Sequence, residues 1–315
     1  MYIILNLILS LLLLIISSLL FTESIERIGN SLKFAHSFTG AIISPLFTSI
    51  PELVVIIISI TIVGGAQGSD IASGTIIGEP FMVSSIGFFL LSLSYIIGKN
   101  NFKSVELDSV FSRTFIVLSI VFPVMLIPVY FHGLFSKIFS TILLALIYIL
   151  ILSYYRKNGM NISEEIKKTE RIAITLIKLS IGFIILLIGS DLLIKTIDSI
   201  SISYRIDAEV VSILIIPIGT ILPETMNAMI WAFRGKINLA IGALIGEEVL
   251  FATFYPIIGI AFTRWLIDRS GSIAIIFTSM FSLAAGILIL KNKGWQFLLL
   301  LSFMILGIFI YIIFY

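Results

Sequence analysis

Four glutamates sit where an apolar sequence tolerates charge least. Glu52 and Glu224 each close a proline-bounded motif, Pro-Leu-Phe-Thr-Ser-Ile-Pro-Glu at 45–52 and Pro-Ile-Gly-Thr-Ile-Leu-Pro-Glu at 217–224. Glu79 and Glu247 each close a Gly-x-x-Ile-Gly-Glu pattern, at 74–79 and 242–247. A charged side chain at the centre of a bilayer costs roughly 2.5–3.5 kcal/mol on insertion scales, so intramembrane carboxylates mark ion pathways or paired sites. A single such glutamate can simply hydrogen bond a neighbouring helix. Recurrence with prolines at the same offset favours a shared function.

The residues around the glutamates are chosen from the same chemistry. Two prolines per motif interrupt the helical ladder, so carbonyls near Pro45 and Pro217 are expected to be freed and a half-helix to begin with Pro-Glu. Thr48, Ser49 and Thr220 add hydroxyl oxygens within about a turn. On the following segment the paired glycines allow two helices to approach closely. Thr75 and Glu79, four residues apart, share one helix face. Carboxylates, hydroxyls and carbonyls together make a hard, all-oxygen cage suited to calcium, magnesium, sodium or protons rather than softer metals. Four like charges cannot all stay ionised in an empty, poorly solvated site, so cation binding is expected to be linked to proton release as a coupled group.

The elements that must position these residues are membrane spans. The chain has 315 residues, of which 59% are hydrophobic and 12% charged; the charged share is about half that of an ordinary globular domain. Ten apolar runs cover 1–21, 36–63, 71–97, 115–131, 138–155, 172–194, 210–233, 239–262, 273–290 and 295–315, most of them near the ~20 residues that cross the hydrocarbon. The first lacks the basic start and small-residue cleavage site of a signal peptide and reads as a retained span. Pro80, Pro123, Pro128 and Pro256 are expected to mark kinks. With no cysteine and only His36 and His132, thiolate metal sites, disulfides and an intramembrane zinc enzyme are excluded or disfavoured. A net charge of +2 gives no footprint for nucleic acid.

Numbering the spans alternately places fifteen of the twenty basic residues on one side and five on the other. The richer side is the cytoplasmic one, which leaves both termini outside a multi-pass protein of the cell membrane. The expected fold is all-α: ten transmembrane helices as two inverted five-helix repeats, with broken second and seventh helices. The first repeat is 1–155, a cytoplasmic linker 156–170, and the second repeat 171–315. Five spans per half force the second copy to enter from the opposite side, as in many secondary transporters. Glu248 has no acidic counterpart, since Pro80 holds that place, and is expected on a helix face or rim. Glu23, Asp191 and both histidines are expected at the interfaces.

These two motifs resemble those of the cation/calcium exchanger family, of which the sodium/calcium exchangers are the best known, in a prokaryotic-type form. The resemblance spans the whole architecture and is specific over 45–79 and 217–247. It implies alternating access, with ions bound between the second, third, seventh and eighth spans. It makes Glu52 and Glu224 the central ligands, with oxygens from Thr48, Ser49 and Thr220, and gives Thr75, Glu79 and Glu247 ligand positions on the third and eighth spans. It also implies that the first and sixth spans rock against the remaining eight. The family motif is close to Gly-Thr-Ser-x-Pro-Glu, but Phe47 stands at its glycine and Ile221 at its serine. Thr75 and Ala243 replace an asparagine. Neutral ligands have been lost, which counts against a full set of sodium sites, and acidic ones stand at Glu79 and Glu247, which suits proton exchange. The expected activity is a secondary antiporter of calcium, or a similar divalent cation, against sodium or protons, with no cofactor and no partner beyond the transported cations and the bilayer; the sequence leaves the oligomeric state open and is compatible with a monomer. The alternatives are an intramembrane enzyme using paired carboxylates, and a proton-coupled transporter of another divalent cation such as magnesium.

Overall fold

A computed structural model describes residues 2–31, 45, 49–99, 107, 109–158, 172–291 and 295–314, and only the backbone of 18, 21–23, 25–31, 99, 156–158, 172, 222–224, 227, 295–297, 299–300 and 314. Thr48, His36 and most of the expected linker lie outside the described residues. Among the described residues every regular element is helical. In chain order these are α1 (Tyr2–Ser31), α2 (Ile50–Ile58), α3 (Gly65–Met82), α4 (Phe88–Lys99), α5 (Ser109–Val121), α6 (Ile127–Tyr130), α7 (Leu134–Asn158), α8 (Ile172–Tyr204), α9 (Ala208–Phe233), α10 (Ile237–Ala252), α11 (Phe254–Phe262), α12 (Arg269–Leu290) and α13 (Trp295–Phe314). Among the described residues six apolar stretches are long enough to cross a membrane: Gly65–Gly98, Ser109–Tyr130, Leu134–Tyr155, Ala173–Tyr204, Ile237–Phe262 and Arg269–Leu290. Tyr2–Ser17, Ile50–Val63, Ala208–Ile221 and Leu301–Ile313 are shorter apolar helical stretches.

Prolines interrupt the helices at several of the expected places. Pro80 lies inside α3, and a π-helical turn, Val83–Gly87, separates α3 from α4. Pro123 falls in a 3-10 turn, Phe122–Leu126, between α5 and α6, and Pro128 in the first turn of α6. Thr253, with non-helical dihedrals of φ −129° and ψ −70°, breaks the helix between α10 and α11 just before Pro256. A ring without an N–H removes one rung and crowds the carbonyl four residues back, so the helix yields where another group can take the freed carbonyl. The seventh span departs from expectation. It is one continuous helix, α9, running through both Pro217 and Pro223. The second span is consistent with the expected break: α2 starts at Ile50, with Pro51 and Glu52 in its first turn. It ends through a π-helical turn, Ser59–Val63, and Gly64 and Gly65 reverse the chain at φ 62° and 63°, a conformation that side chains resist.

The bundle has two packed regions. α1 and α8, with 30 and 33 residues, run against each other over much of their length. Leu14, Leu186, Leu193 and Ile197 join Val55, Ile71, Val211 and Ile216 in one apolar cluster, which seats this pair on α2, α3 and α9. The remaining helices share a larger core. Its aromatic centre holds Phe88 against Phe115 and Phe281, with ring centroids 5.6 and 5.2 Å apart, and Phe81 against Phe309 at 4.4 Å. Between α5 and α12, Ser112 donates to the carbonyl of Gly286 at 2.8 Å and Ser279 to that of Ser119 at 2.6 Å, since polar side chains between apolar helices find partners in the facing backbone.

The glycine pair of the first half does what its spacing predicts. α3 lies against α9 so closely that a β-carbon on Gly74 would be 2.7 Å from the Glu209 carbonyl oxygen, and one on Gly78 would be 2.7 Å from the Ile213 α-carbon. The carbonyl of Ile213 is the one that Pro217 leaves without its helical donor. Gly78 covers it, with a built β-carbon 2.8 Å from that oxygen. Backbone thus meets backbone where a rung is missing, a place for weak Cα–H···O contacts. Gly78→Val should lower stability by about 1–3 kcal/mol, the usual cost of overpacking, whereas Gly307→Val, where a β-carbon meets nothing within 4 Å, should leave it unchanged. Thermal unfolding of the two variants in detergent measures the difference.

Candidate ion-binding site

The proline-glutamate turn of α2 is tied to the second half by a tyrosine. The Ser49 backbone N–H and hydroxyl both donate to the Pro45 carbonyl, at 2.9 and 2.7 Å. The Tyr255 hydroxyl donates to the Ser49 carbonyl at 2.8 Å and lies 2.6 Å from the Ser49 hydroxyl. The Pro45 carbonyl, expected to be freed, is therefore engaged by two donors. Glu52 follows, 3% exposed, and its Oε2 has no hydrogen-bond partner among the described residues.

Glu79 and Thr220 join the other two elements. The Thr220 hydroxyl, on α9 three residues after Pro217, donates to Glu79 Oε1 on α3 and also lies 3.1 Å from the Ile216 carbonyl. This bond depends on the glycine-lined approach of α3 to α9, one turn away. Glu79 lies within electrostatic reach of Glu52 and Glu247, and Glu247 of Glu52 and Glu248. Tyr255 faces all of Glu52, Glu79 and Glu247. Glu79 and Glu247 are 1% and 7% exposed. Thus α2, α3, α9 and the α10–α11 segment converge on one buried, oxygen-rich region.

The other predicted residues have mixed fates. Thr75 is buried on α3, with its hydroxyl donating to the Ile71 carbonyl at 2.8 Å. Pro217 is buried. Glu224 follows Pro223 on α9, but its side chain, like all of Thr48, lies outside the described residues. Among the described residues no group of three carboxylates or imidazoles stands close enough to hold a metal ion. The described acids are therefore gathered but not drawn into a closed coordination shell.

Glu248 corrects the expectation of a rim position. It is fully buried; its Oε1 accepts a 2.8 Å hydrogen bond from Ser84, and its Oε2 has no partner among the described residues. Ser84 lies in the π-helical turn Val83–Gly87, which the sequence did not announce. Tyr255 was also missed. The available signal was its place as a polar side chain two residues after Thr253 in an apolar run. A second acidic group went unnoticed because its members are far apart in sequence. Asp70, Asp207, Glu209 and Asp268 lie within electrostatic reach of one another, with Arg264 near Asp70. Glu209 accepts the Asp268 N–H at 2.9 Å. Burial, with Asp207 nearby, holds the Asp268 carboxyl above its ordinary value. Asp191 pairs with Lys195 at 2.7 Å on an exposed face, and His132 is exposed, as interfacial residues would be.

Buried acids gathered between apolar helices define a class: an α-helical, polytopic membrane protein with an acidic interior. Residues 2–155 and 174–315 match the family described as sodium/calcium exchanger protein, and the chain belongs to that family, one of transporters rather than enzymes. An uncharacterised membrane protein of Methanocaldococcus jannaschii is 27% identical over 226 residues, which are 71% of this chain and 70% of the relative. The fold is shared with the H+/Ca2+ exchanger CAX, at a TM-score of 0.71 and 17% identity over 98% of this chain and 86% of that one. It is also shared with the sodium-calcium exchanger NCX_Mj, at 0.62 and 24% over 98% and 99%.

Removing the Ser84 hydroxyl leaves a buried carboxylate oxygen without its donor. Ser84→Ala should therefore destabilise by about 1–3 kcal/mol, and Glu248→Gln, which keeps an acceptor for Ser84, by less. Thermal melting of the two purified variants ranks them; equal losses would refute the proposed importance of that donor.

Proposed function

We propose that the protein is a secondary-active antiporter that carries calcium, or a similar divalent cation, across the membrane in exchange for sodium or protons. The observation that carries this reading is the convergence of Glu52, Glu79 and Glu247 with the hydroxyls of Ser49, Thr220 and Tyr255 in one buried region built by α2, α3, α9 and α10–α11. The structural relatives are an H+/Ca2+ exchanger and a sodium-calcium exchanger, and both activities need hard oxygen ligands. Glu224, Thr48, Thr75 and the carbonyls at Pro45 and Pro217 complete the proposed ligand set. Calcium wants six to eight oxygens, so loading would draw in groups that now stand apart. The replacement of neutral ligand positions by Ile221 and Ala243, with acids at Glu79 and Glu247, favours the proton as counter-ion.

The proposed frame is ten spans in two inverted repeats, 1–155 and 171–315, joined by the linker 156–170. The six long and four short apolar helical stretches fall one in each expected span. The packing supports the exchange of the two halves: α7 meets α11 as α13 meets α4, α1 meets α9 as α8 meets α2, and α10 meets α5 as α3 meets α12. With fifteen basic residues on one side, both termini face outside the cell membrane. α1 and α8, held together in their own apolar cluster, form the pair that moves against the rest in alternating access.

The test is flux into vesicles containing the purified protein, with sodium and pH gradients imposed separately. Calcium uptake driven by the pH gradient alone identifies the proton; absence of uptake of calcium or magnesium under either gradient overturns the antiporter. Glu52→Gln and Glu224→Gln should each abolish transport, while Glu248→Gln should retain it. Transport that survives both of the first two changes would remove these residues from the site. Thr220→Val should weaken divalent binding about tenfold, the size of one hydrogen bond to a charged group, as read by calorimetric titration.

A further inference from the structure

α10 ends at Ala252 and the helix breaks at Thr253, so the second residue of α11, Tyr255, carries its phenol to the start of α2. The ring is fixed. Phe251 stacks on it with centroids 4.3 Å apart at 27°, and Phe254 meets it edge-on at 5.6 Å. The hydroxyl donates to the Ser49 carbonyl at 2.8 Å and lies 2.6 Å from the Ser49 hydroxyl. That same carbonyl accepts the Leu53 N–H at 3.2 Å, the opening rung of α2, and Glu52 sits inside this turn. Ser49 holds the N-cap position of α2, yet its hydroxyl makes no capping bond; it donates to the Pro45 carbonyl beside Tyr255. The helix start thus forgoes the cap that a serine ordinarily supplies and is secured from α11 instead.

A phenol has one hydrogen. With it engaged at Ser49, the Tyr255 oxygen can meet Glu52, Glu79 and Glu247, which it faces, only as an acceptor, so it neutralises none of them. We propose that Tyr255 is a positioning residue that acts through Ser49: it holds the Glu52 turn in place relative to the α10–α11 segment that carries Glu247, and so sets the preference of the site for calcium over magnesium. Calcium needs six to eight oxygens at about 2.3–2.6 Å, which the protein must hold in place, whereas magnesium keeps several of its waters and takes one or two carboxylates. Loosening the turn therefore costs calcium more. The first half supplies no hydroxyl at the matching place, where Gly87 stands, and the specificity falls to the one tie at Ser49. This role presupposes the divalent-cation site proposed above.

The protein purified in detergent is titrated calorimetrically with calcium chloride and, separately, with magnesium chloride at one fixed pH. The wild type should bind calcium more tightly. Tyr255→Phe, which keeps the ring on Phe251 and removes the hydroxyl, should weaken calcium binding about tenfold, the effect of one lost hydrogen bond. Magnesium binding should change by less than about twofold, which also reports an intact fold. In a cycle with Ser49→Ala, the double variant should lose less calcium affinity than the product of the two single losses, because both side chains act through one contact. Binding of neither ion by the wild type removes the antiporter reading and this role with it. With wild-type binding intact, the role alone is overturned by magnesium bound as tightly as calcium, by unchanged calcium binding or equal losses for both ions in Tyr255→Phe, or by single losses that multiply in the double variant, which would put the Tyr255 oxygen on the ion itself.

Discussion

A carboxylate inside hydrocarbon must be met by dipoles, because water is absent and no lysine or arginine among the described residues stands beside Glu52, Glu79, Glu247 or Glu248. An unmatched buried charge is too costly to persist. The molecule answers with short polar side chains delivered by apolar helices: Thr220 to Glu79, and Ser84 to Glu248. The first delivery requires two helices to be closer than ordinary side chains allow. Gly74 and Gly78 provide that closeness for α3 and α9, so the polar chemistry depends on residues that have no chemistry of their own.

The two halves solve the same problem unequally. In the first, the chain starts a fresh helix at Ile50, and the turn before it is secured by Ser49 to the Pro45 carbonyl and by Tyr255 from α11. In the second, the helix continues through both prolines and the missing rung at Ile213 is covered by the backbone of Gly78. The same motif therefore yields a half-helix with a side-chain tie in one place and an uninterrupted helix with a backbone tie in the other. Tyr255 has Gly87 at the matching distance after Glu79, so the first half has no equivalent hydroxyl to return.

Much of this was legible in the residues. Apolar run lengths marked where helices lie, the duplicated motifs singled out Glu52, Glu79 and Glu247, and glycine spacing indicated which helix face would be buried closely. What could not be read has identifiable causes. A proline states that one hydrogen bond is absent and not whether the helix bends there; for α9 the outcome is decided by α3, a partner remote in sequence. Glu248 looked like a rim residue because its repeat counterpart is a proline, yet a π-helical turn, which follows no apolar periodicity, brings Ser84 to it. The cluster of Asp70, Asp207, Glu209 and Asp268 is assembled from the opening turns of α3 and α9 and the residues just before α9 and α12, and only tertiary packing places them together.

The uninterrupted course of α9 has a mechanical consequence. A helix resists bending chiefly because bending stretches its hydrogen bonds on one side. At Pro217 and Pro223 two of those bonds are absent, separated by six residues of sequence, so α9 contains two compliant joints on either side of Thr220 with nothing to rupture when they flex. Gly219 lies between them, packed against Leu11 and Leu14 of α1. Any displacement of α1 is thus applied to the softest stretch of α9, and the load arrives one residue from the hydroxyl that holds Glu79.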